Sequence, residues 1–251
     1  MIQLKSAREI ETMAAGGRIL AATHKHITPA LVPGATTLEI DTMVEQFIRS
    51  HPGAKPSFKG LYGFLGSACI SLNEEIVHGI PSAKRVLADG DIITVDIGVH
   101  LGGFHTDSAW SYAVGRVSAE AKRLLEVTEA SLWAGISEAT LGNHIGDIGA
   151  AVESVVERGG FSVVRDLVGH GVGAQMHEDP QVPNHGKPKR GPRLQAGMTI
   201  AIEPMVNAGG PATRTLGDKW TIVTLDGALS AHYEHTVAIT AEGPRVLTTL
   251  G

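Results

Sequence analysis

The chain has 251 residues, with 21 Lys+Arg against 26 Asp+Glu for a net charge of −5, and is 43% hydrophobic and 19% charged. That composition excludes a disordered chain, and a slightly acidic balance without a long Lys/Arg run argues against direct sequence-specific nucleic-acid binding. A single cysteine, Cys69, excludes an intramolecular disulfide and a Cys-based zinc knuckle, and fits a reducing compartment such as the cytoplasm.

The first residues carry Lys5, Arg8, Glu9 and Glu11 and no apolar core of the leader-peptide kind. No run of 18 apolar residues occurs, so no membrane partner is expected. Ser6 with Glu9 reads as a capping box, followed by the helical stripe Ile10, Met13, Ala14, Gly17, Leu20 and Ala21. A second helix starts at Thr36, with Glu39 three residues on and Ile40, Met43, Val44, Phe47 and Ile48 on its apolar face. His51-Pro52-Gly53 ends it. Residues 68–73 and 91–101 read as strands, and Gly102-Gly103 is a two-residue hairpin signal between β-rich runs. Helical patterns return at 118–134 and 143–158, where Ile145, Ile148, Gly149, Val152 and Val156 share a face. From 161 onward the chain is mainly strand-like, with a second hairpin signal at Asp226-Gly227. The 31 glycines are scattered among these segments, which suggests many tight turns.

The order of helices, strands, helices and strands suggests an internal repeat. Leu87-Ala-Asp-Gly-Asp-Ile-Ile-Thr-Val-Asp96 aligns with Leu194-Gln-Ala-Gly-Met-Thr-Ile-Ala-Ile-Glu203, with Leu, Gly and the final acid at the same offsets. Each half then offers a His-x-acid triplet, His105-Thr106-Asp107 and His232-Tyr233-Glu234. No linker separates the halves, so one domain over 1–251, with pseudo-repeats of about 1–115 and 116–251, is expected.

Asp96 lies inside Ile92-Ile93-Thr94-Val95-Asp96-Ile97, and Glu203 repeats the anomaly at the end of Thr199-Ile200-Ala201-Ile202. A carboxylate in such a run is expensive unless paired or bound to metal. An edge position facing solvent explains one such acid more easily than two at matching places. With Gly102 and Gly103 as turn residues, Asp96 faces Ala109 and Asp107 faces Gly98, so the two acids are diagonal neighbours on one face, roughly 7 Å apart. By the repeat, Glu203 and Glu234 occupy the equivalent face, and four carboxylates converge. At ~5 Å and an effective dielectric of ~20 each like-charged pair costs roughly 3 kcal/mol. Six pairs cost on the order of 20 kcal/mol, beyond the ~5–15 kcal/mol stability of a typical domain. Such a cluster must take up protons or cations. His170, framed by glycines in Val168-Gly169-His170-Gly171-Val172-Gly173, and the nearby His177 are further candidates.

At these residues the chain resembles the type I methionine aminopeptidases of the pita-bread metallopeptidase fold. The motifs, in order, are Glu75-Ile-Val-His78-Gly-Ile-Pro81, Val95-Asp96-Ile-Gly, Gly103-Phe-His-Thr-Asp107-Ser, Gly169-His-Gly-Val-Gly173, Met176-His177-Glu-Asp-Pro180, Ile202-Glu203-Pro-Met-Val-Asn207 and Ser230-Ala-His-Tyr-Glu234-His-Thr236. The resemblance implies an α/β protein of the α+β kind, with a curved antiparallel sheet covered by helices and an internal pseudo-two-fold axis.

It also implies the metal ligands Asp96, Asp107, His170, Glu203 and Glu234 for two divalent ions, with Asp107 and Glu234 bridging. Asp96 completes one site, and His170 with Glu203 completes the other. The ions activate a water for attack on the first peptide bond. Glu203 moves its proton, His177 stabilises the carbonyl oxygen and His78 contacts the scissile amide nitrogen. Leu61, Phe64, Cys69, Met176 and Trp220 line the methionine pocket. The ligand set suits Fe(II), Mn, Co or Zn without choosing among them. Cys69 with His78 is the competing nucleophilic reading, disfavoured because an apolar strand suits a buried structural cysteine.

The family usually carries Tyr where Leu61 stands and Phe where Met176 stands. His170 and Glu203 are 33 positions apart, which leaves no room for the long insertion of the type II enzymes. The implied substrates are N-termini of nascent proteins and peptides with a small second residue, met in the cytoplasm by a monomer that touches the ribosome at most transiently. Two other functions compete: a related dimetal aminopeptidase with other or broader first-residue specificity, and a metal-free pita-bread binding protein. All five ligand positions stand, which disfavours the latter.

Overall fold

The computed structural model describes residues 1–250. Helix α1 (Ala7–Ile27) opens on a complete capping box. Ser6 Oγ accepts from the Glu9 backbone N–H at 3.4 Å, and the Glu9 carboxylate accepts from the Ser6 N–H at 2.7 Å. Helix α2 (Thr37–Arg49) opens the same way on Thr36 and Glu39. Five strands follow: β1 (Lys55–Pro56), β2 (Ala68–Leu72), β3 (Glu75–Val77), β4 (Ile92–Leu101) and β5 (Phe104–Ala113). Helices α3 (Ala119–Glu138) and α4 (Ile145–Gly159) come next. The remainder is short strands: β6 (Ser162–Val163), β7 (Gly169–Gly171), β8 (Glu178–Val182), β9 (Thr199–Ile202), β10 (Met205–Asn207), β11 (Thr213–Thr215), β12 (Ile222–Thr224), β13 (Ser230–His232), β14 (His235–Thr240) and β15 (Gly243–Val246).

The strand pairs are antiparallel. Strand β4 takes β5 along one edge, while β2 and β1 share the other. The β4–β5 turn is Gly102 at φ +59° and Gly103 at φ +90°, the double positive φ that a two-residue hairpin of this twist requires. A second sheet runs β15-β14-β9-β7-β8, and two smaller ones are β13-β10-β6 and β11-β12-β3.

Strand parity separates core from site. On β4, Ile93, Val95, Ile97 and Val99 pack with Leu20 and Ile27 of α1 and Ile40, Val44 and Ile48 of α2. On β9, Ile200 and Ile202 pack with Leu124 and Leu132 of α3 and Ile148, Val152 and Val156 of α4. Asp96 and Glu203 alternate with these residues and so belong to the opposite faces. The two Leu-x-x-Gly segments take the same local course. Leu87 and Leu194 are buried, Gly90 and Gly197 lie at φ +102° and +91°, and each strand begins two residues later.

One expected hairpin is absent. Gly227 has a positive φ of +77°, yet β12 and β13 do not pair: β12 lies between β11 and β3, whereas β13 pairs with β10. The Asp226 carboxylate organises a loop between sheets instead. Oδ1 accepts from the Ala228 N–H at 3.1 Å, and Oδ2 accepts from the Gly210 N–H at 2.7 Å. The same Asp-Gly chemistry that suits a hairpin turn also suits this Asx turn.

Two adjacent glycines of α1 test the packing. A Cβ on Gly17 would fall on the Leu247 carbonyl group, 2.7 Å from its carbon, whereas a Cβ on Gly16 would meet Thr106 Oγ1 and Leu101 Cβ at 3.4 and 3.5 Å. Overpacking against backbone costs ~1–3 kcal/mol, while Gly→Ala in a helix gains up to ~1 kcal/mol. Gly17→Ala should therefore lower the thermal midpoint by several degrees and Gly16→Ala should leave it unchanged or raised, as read by calorimetry. Equal effects at the two positions would contradict this packing.

Candidate metal centre

The β4–β5 register pairs Asp96 with Ala109 and Gly98 with Asp107, which sets the two carboxylates diagonally on the face away from α1 and α2. Glu203 directly follows β9, and Glu234 directly precedes β14. The two halves meet along a seam of hydroxyls. Thr236 Oγ1 accepts from the Asp107 N–H and donates to the Asp107 carbonyl, each at 2.9 Å. Ser108 Oγ donates to the Glu234 carbonyl at 2.8 Å, and the Glu234 N–H donates to the Ala109 carbonyl at 2.8 Å. Ser111 Oγ accepts from the His232 N–H at 3.0 Å and Tyr233 Oη donates to the Ser111 carbonyl at 2.9 Å. Small hydroxyl side chains let two backbones approach closely and satisfy each other's polar groups, and this brings Asp107 to Glu234.

His170 on β7 completes the cluster. One oxygen each from Asp107 and Glu234 and a ring nitrogen of His170 lie within 4.8 Å of one another. His170 Nδ1 donates to the Gly171 carbonyl at 2.8 Å, which assigns the lone pair to Nε2. That nitrogen sits 3.8 Å from Asp107 Oδ2 and 3.5 Å from Glu203 Oε1. A ligating imidazole is oriented in this way, with its other nitrogen tied to a carbonyl.

The electrostatics favour uptake of protons or cations. Burial pushes the Asp96 and Glu203 carboxyls up to about 7. Asp107 and Glu234 are also raised well above the carboxylate range, first through burial and then through the neighbouring acids. Asp96 Oδ1, Asp107 Oδ1 and Glu234 Oε1 are buried without a hydrogen-bond partner among the described residues. Each such orphan costs ~1–3 kcal/mol, more when charged. Buried carboxylate oxygens without donors, facing a free imidazole lone pair, fit divalent cations of the Mn, Fe(II), Co or Zn kind.

The cluster lies in a cavity of about 730 Å³ that also exposes His78, His177, Leu61, Phe64, Cys69 and Trp220. His78 has φ +60°, a left-handed conformation rare outside glycine, and its ring meets Trp220 edge-on at 6.4 Å. Burial lowers His78 to about 4 and also lowers His177, so both are neutral at pH 7. His177 packs edge-on against His170 at 4.5 Å and under Tyr62 at 6.0 Å. Its neighbour Glu178 pairs with Lys5 in a buried ion pair. Burial, with four nearby carboxylates adding to it, pushes the Cys69 thiol well up, which disfavours the nucleophilic reading.

Met176 is buried with Phe58, Phe64 and Cys69, in the apolar group against which Leu61 and Trp220 pack. Sequence reasoning missed Phe58, Tyr62, Val77, Met205 and His232 as residues that line the cavity. Phe58 and Tyr62 flank the expected Leu61 and Phe64, and aromatic clustering over 58–64 is a signal for both. His232 stood in the second His-x-acid triplet, whereas its counterpart His105 lies outside the cavity and contacts Ser57 Oγ at 2.9 Å.

Residues 11–241 match metallopeptidase family M24. The chain is 54% identical over 248 residues to methionine aminopeptidase 1 of Bacillus subtilis, covering 99% of both chains. It is 52% identical over 250 residues to a methionine aminopeptidase of Clostridium perfringens, covering 100% of both. Among solved structures, methionine aminopeptidase from Thermotoga maritima superposes with a TM-score of 0.97 at 41% identity, over 99% of this chain and 100% of that one. A prolidase from Pyrococcus horikoshii, 21% identical and with 64% of its length covered, superposes at 0.79 and shares the fold. That fold is the pita-bread architecture.

The shifted carboxyls fix the sign of a pH effect on metal binding. Between about pH 4 and 7 the folded state holds extra protons on Asp96 and Glu203, a stabilisation lost as pH rises through 7. The buried histidines His24, His78, His105, His232 and His235, lowered to about 4, act oppositely, because the unfolded chain holds extra protons on them below about 6.5. The unfolded histidines stay partly charged until about pH 7.5, so the two sets oppose each other across neutrality. Protons on the clustered carboxyls compete with a bound cation, so saturating Mn²⁺ should raise the urea midpoint more at pH 8 than at 6.5. A rise no larger at pH 8 than at 6.5 would contradict the clustered carboxylates.

Proposed function

The chain belongs to metallopeptidase family M24, and we propose that within it this protein is a methionine aminopeptidase that removes the N-terminal methionine of nascent proteins and peptides whose second residue is small. The observation that carries this reading is the set of buried carboxylate oxygens without donors beside the free Nε2 of His170, at the base of an apolar cavity. Relatives that match over essentially the full length are methionine aminopeptidases.

Asp96, Asp107, His170, Glu203 and Glu234 would hold two divalent cations. When bound, these ions act as Lewis acids that polarise the scissile carbonyl and bring the pKa of a water toward neutrality. The remaining work falls to side chains. Glu203 takes the water's proton and passes it to the departing amine. Neutral His177 donates an N–H to the carbonyl oxygen as charge develops there, and His78 contacts the scissile amide nitrogen. Phe64, Trp220, Cys69 and Leu61 surround the methionine side chain, whose thioether packs well on aromatic and flexible apolar surfaces. The free α-amino group meets the Asp96 side of the centre, which restricts cleavage to the first bond. We read residues 1–251 as one domain, whose halves 1–115 and 116–251 each supply two of the four acids. One chain then carries the whole site, which supports a monomer acting in the cytoplasm, where nascent chains present the substrate.

Two experiments test this reading. His78→Ala and His177→Ala should lower kcat by roughly 10²–10³ with metal content near normal, whereas Asp107→Asn or Glu234→Gln should deplete both ions. Metal loss in the His78 and His177 variants equal to that in His170→Ala would remove the distinction between ligands and donors.

A Met-Ala-Ser peptide should also be cleaved at least tenfold faster than Met-Ile-Ser, a ratio that needs only ~1.4 kcal/mol of transition-state discrimination. The second side chain lies against the cluster and the His78 segment, and a β-branched Ile cannot fold its bulk away. Comparable rates would favour a broad-specificity aminopeptidase.

A further inference from the structure

His232 takes no part in the chemistry above, yet it is placed as if it should. It is 1% exposed and lines the cavity. Both ring nitrogens are buried without a hydrogen-bond partner among the described residues. Its backbone is fixed on both sides: the N–H donates to Ser111 Oγ at 3.0 Å, and the carbonyl accepts from Ser111 Oγ at 2.9 Å. Strand pairing sets it opposite Met205, two residues beyond Glu203. Its Nε2 lies 3.6 Å from Glu203 Oε2, while Glu203 Oε1 lies 3.5 Å from His170 Nε2. Two imidazoles thus bracket one carboxylate.

The two rings differ chemically. His170 gives its only N–H to the Gly171 carbonyl and offers Glu203 a lone pair. The His232 ring makes no hydrogen bond, and Asp96 acts on it only through its charge, whereas Glu203 Oε2 lies at 3.6 Å, so its N–H can turn to Glu203. A few tenths of an ångström of side-chain movement brings 3.6 Å within hydrogen-bond range, and the alternative is a buried N–H left unmade. Building on the metal centre proposed above, we propose that His232 is a positioning residue whose Nε2–H donates to Glu203 Oε2, holding Oε1 on the His170 side where a cation binds. Carboxylate ligands are held by such outer partners, whose loss typically weakens metal binding by roughly 10–100-fold.

The test is Mn²⁺ titration calorimetry on metal-stripped parent, His232→Gln and His232→Leu, with metal-free melting curves as folding controls. Gln keeps an N–H donor at similar reach and Leu fills similar space without one. Binding by His232→Gln within about threefold of the parent, with His232→Leu weaker by roughly tenfold or more, is the expected result. His232→Leu binding as tightly as the parent, or His232→Gln falling as far as His232→Leu, overturns the inference. In a Glu203→Ala background His232→Leu should cost nothing further, and a full additive loss there also overturns it. Nitrogen NMR of Zn²⁺-loaded parent needs no variant: a proton on His232 Nε2 supports the assignment and a lone pair there refutes it. A parent that binds no Mn²⁺ overturns the metal centre itself, whereas a parent that binds with His232→Leu unaffected overturns only the role of His232.

Discussion

Mutual repulsion among four buried carboxylates is the constraint on which the rest of this structure depends. Asp96, Asp107, Glu203 and Glu234 share one cavity, and each is pushed above the ordinary carboxylate range by burial. Three of them present an oxygen with no donor among the described residues. A fold that gathers such groups without a counterion would spend much of its modest stability on doing so. The arrangement is intelligible as one half of an interaction whose other half is cationic.

The backbone meets this constraint through parity and close approach. Apolar residues at alternate positions of β4 and β9 fix the helices on one side, and the acids necessarily take the other. The Gly102-Gly103 turn sets the register that makes Asp96 and Asp107 diagonal neighbours. Between the halves, Ser108, Ser111 and Thr236 replace a regular strand ladder with side-chain hydrogen bonds. Large side chains at those positions would part the halves and separate Asp107 from Glu234. Around the cluster, His78 and His177 are kept neutral by the same burial that strains the acids. One dry environment therefore makes the centre hungry for cations and its flanking imidazoles suitable hydrogen-bond donors.

Local and periodic features were legible before any coordinates. The capping boxes at Ser6/Glu9 and Thr36/Glu39, the helix faces through Val44 and Val152, and the β4–β5 register follow from short-range chemistry. The repeat pointed to Glu234 and motif resemblance gave it and His177 their roles, whereas their places relative to Asp107, 127 and 70 residues away in sequence, rest on long-range packing. Features decided only by long-range packing were not legible. Asp226-Gly227 carries a hairpin signature, but its flanking strands are claimed by β3 and β10 from elsewhere in the chain. His232 is invisible as a partner of Glu203 until β13 is seen beside β10.

The central claim is that the four acids and His170 form a divalent-cation centre. Anomalous diffraction from crystals grown with Mn²⁺ tests it most directly. The account predicts two strong peaks roughly 3.5–4 Å apart, both within bonding distance of Asp107 and Glu234, one also near Asp96 and the other also near His170 and Glu203. Crystals showing Mn²⁺ elsewhere on the protein and none among these five side chains would contradict it.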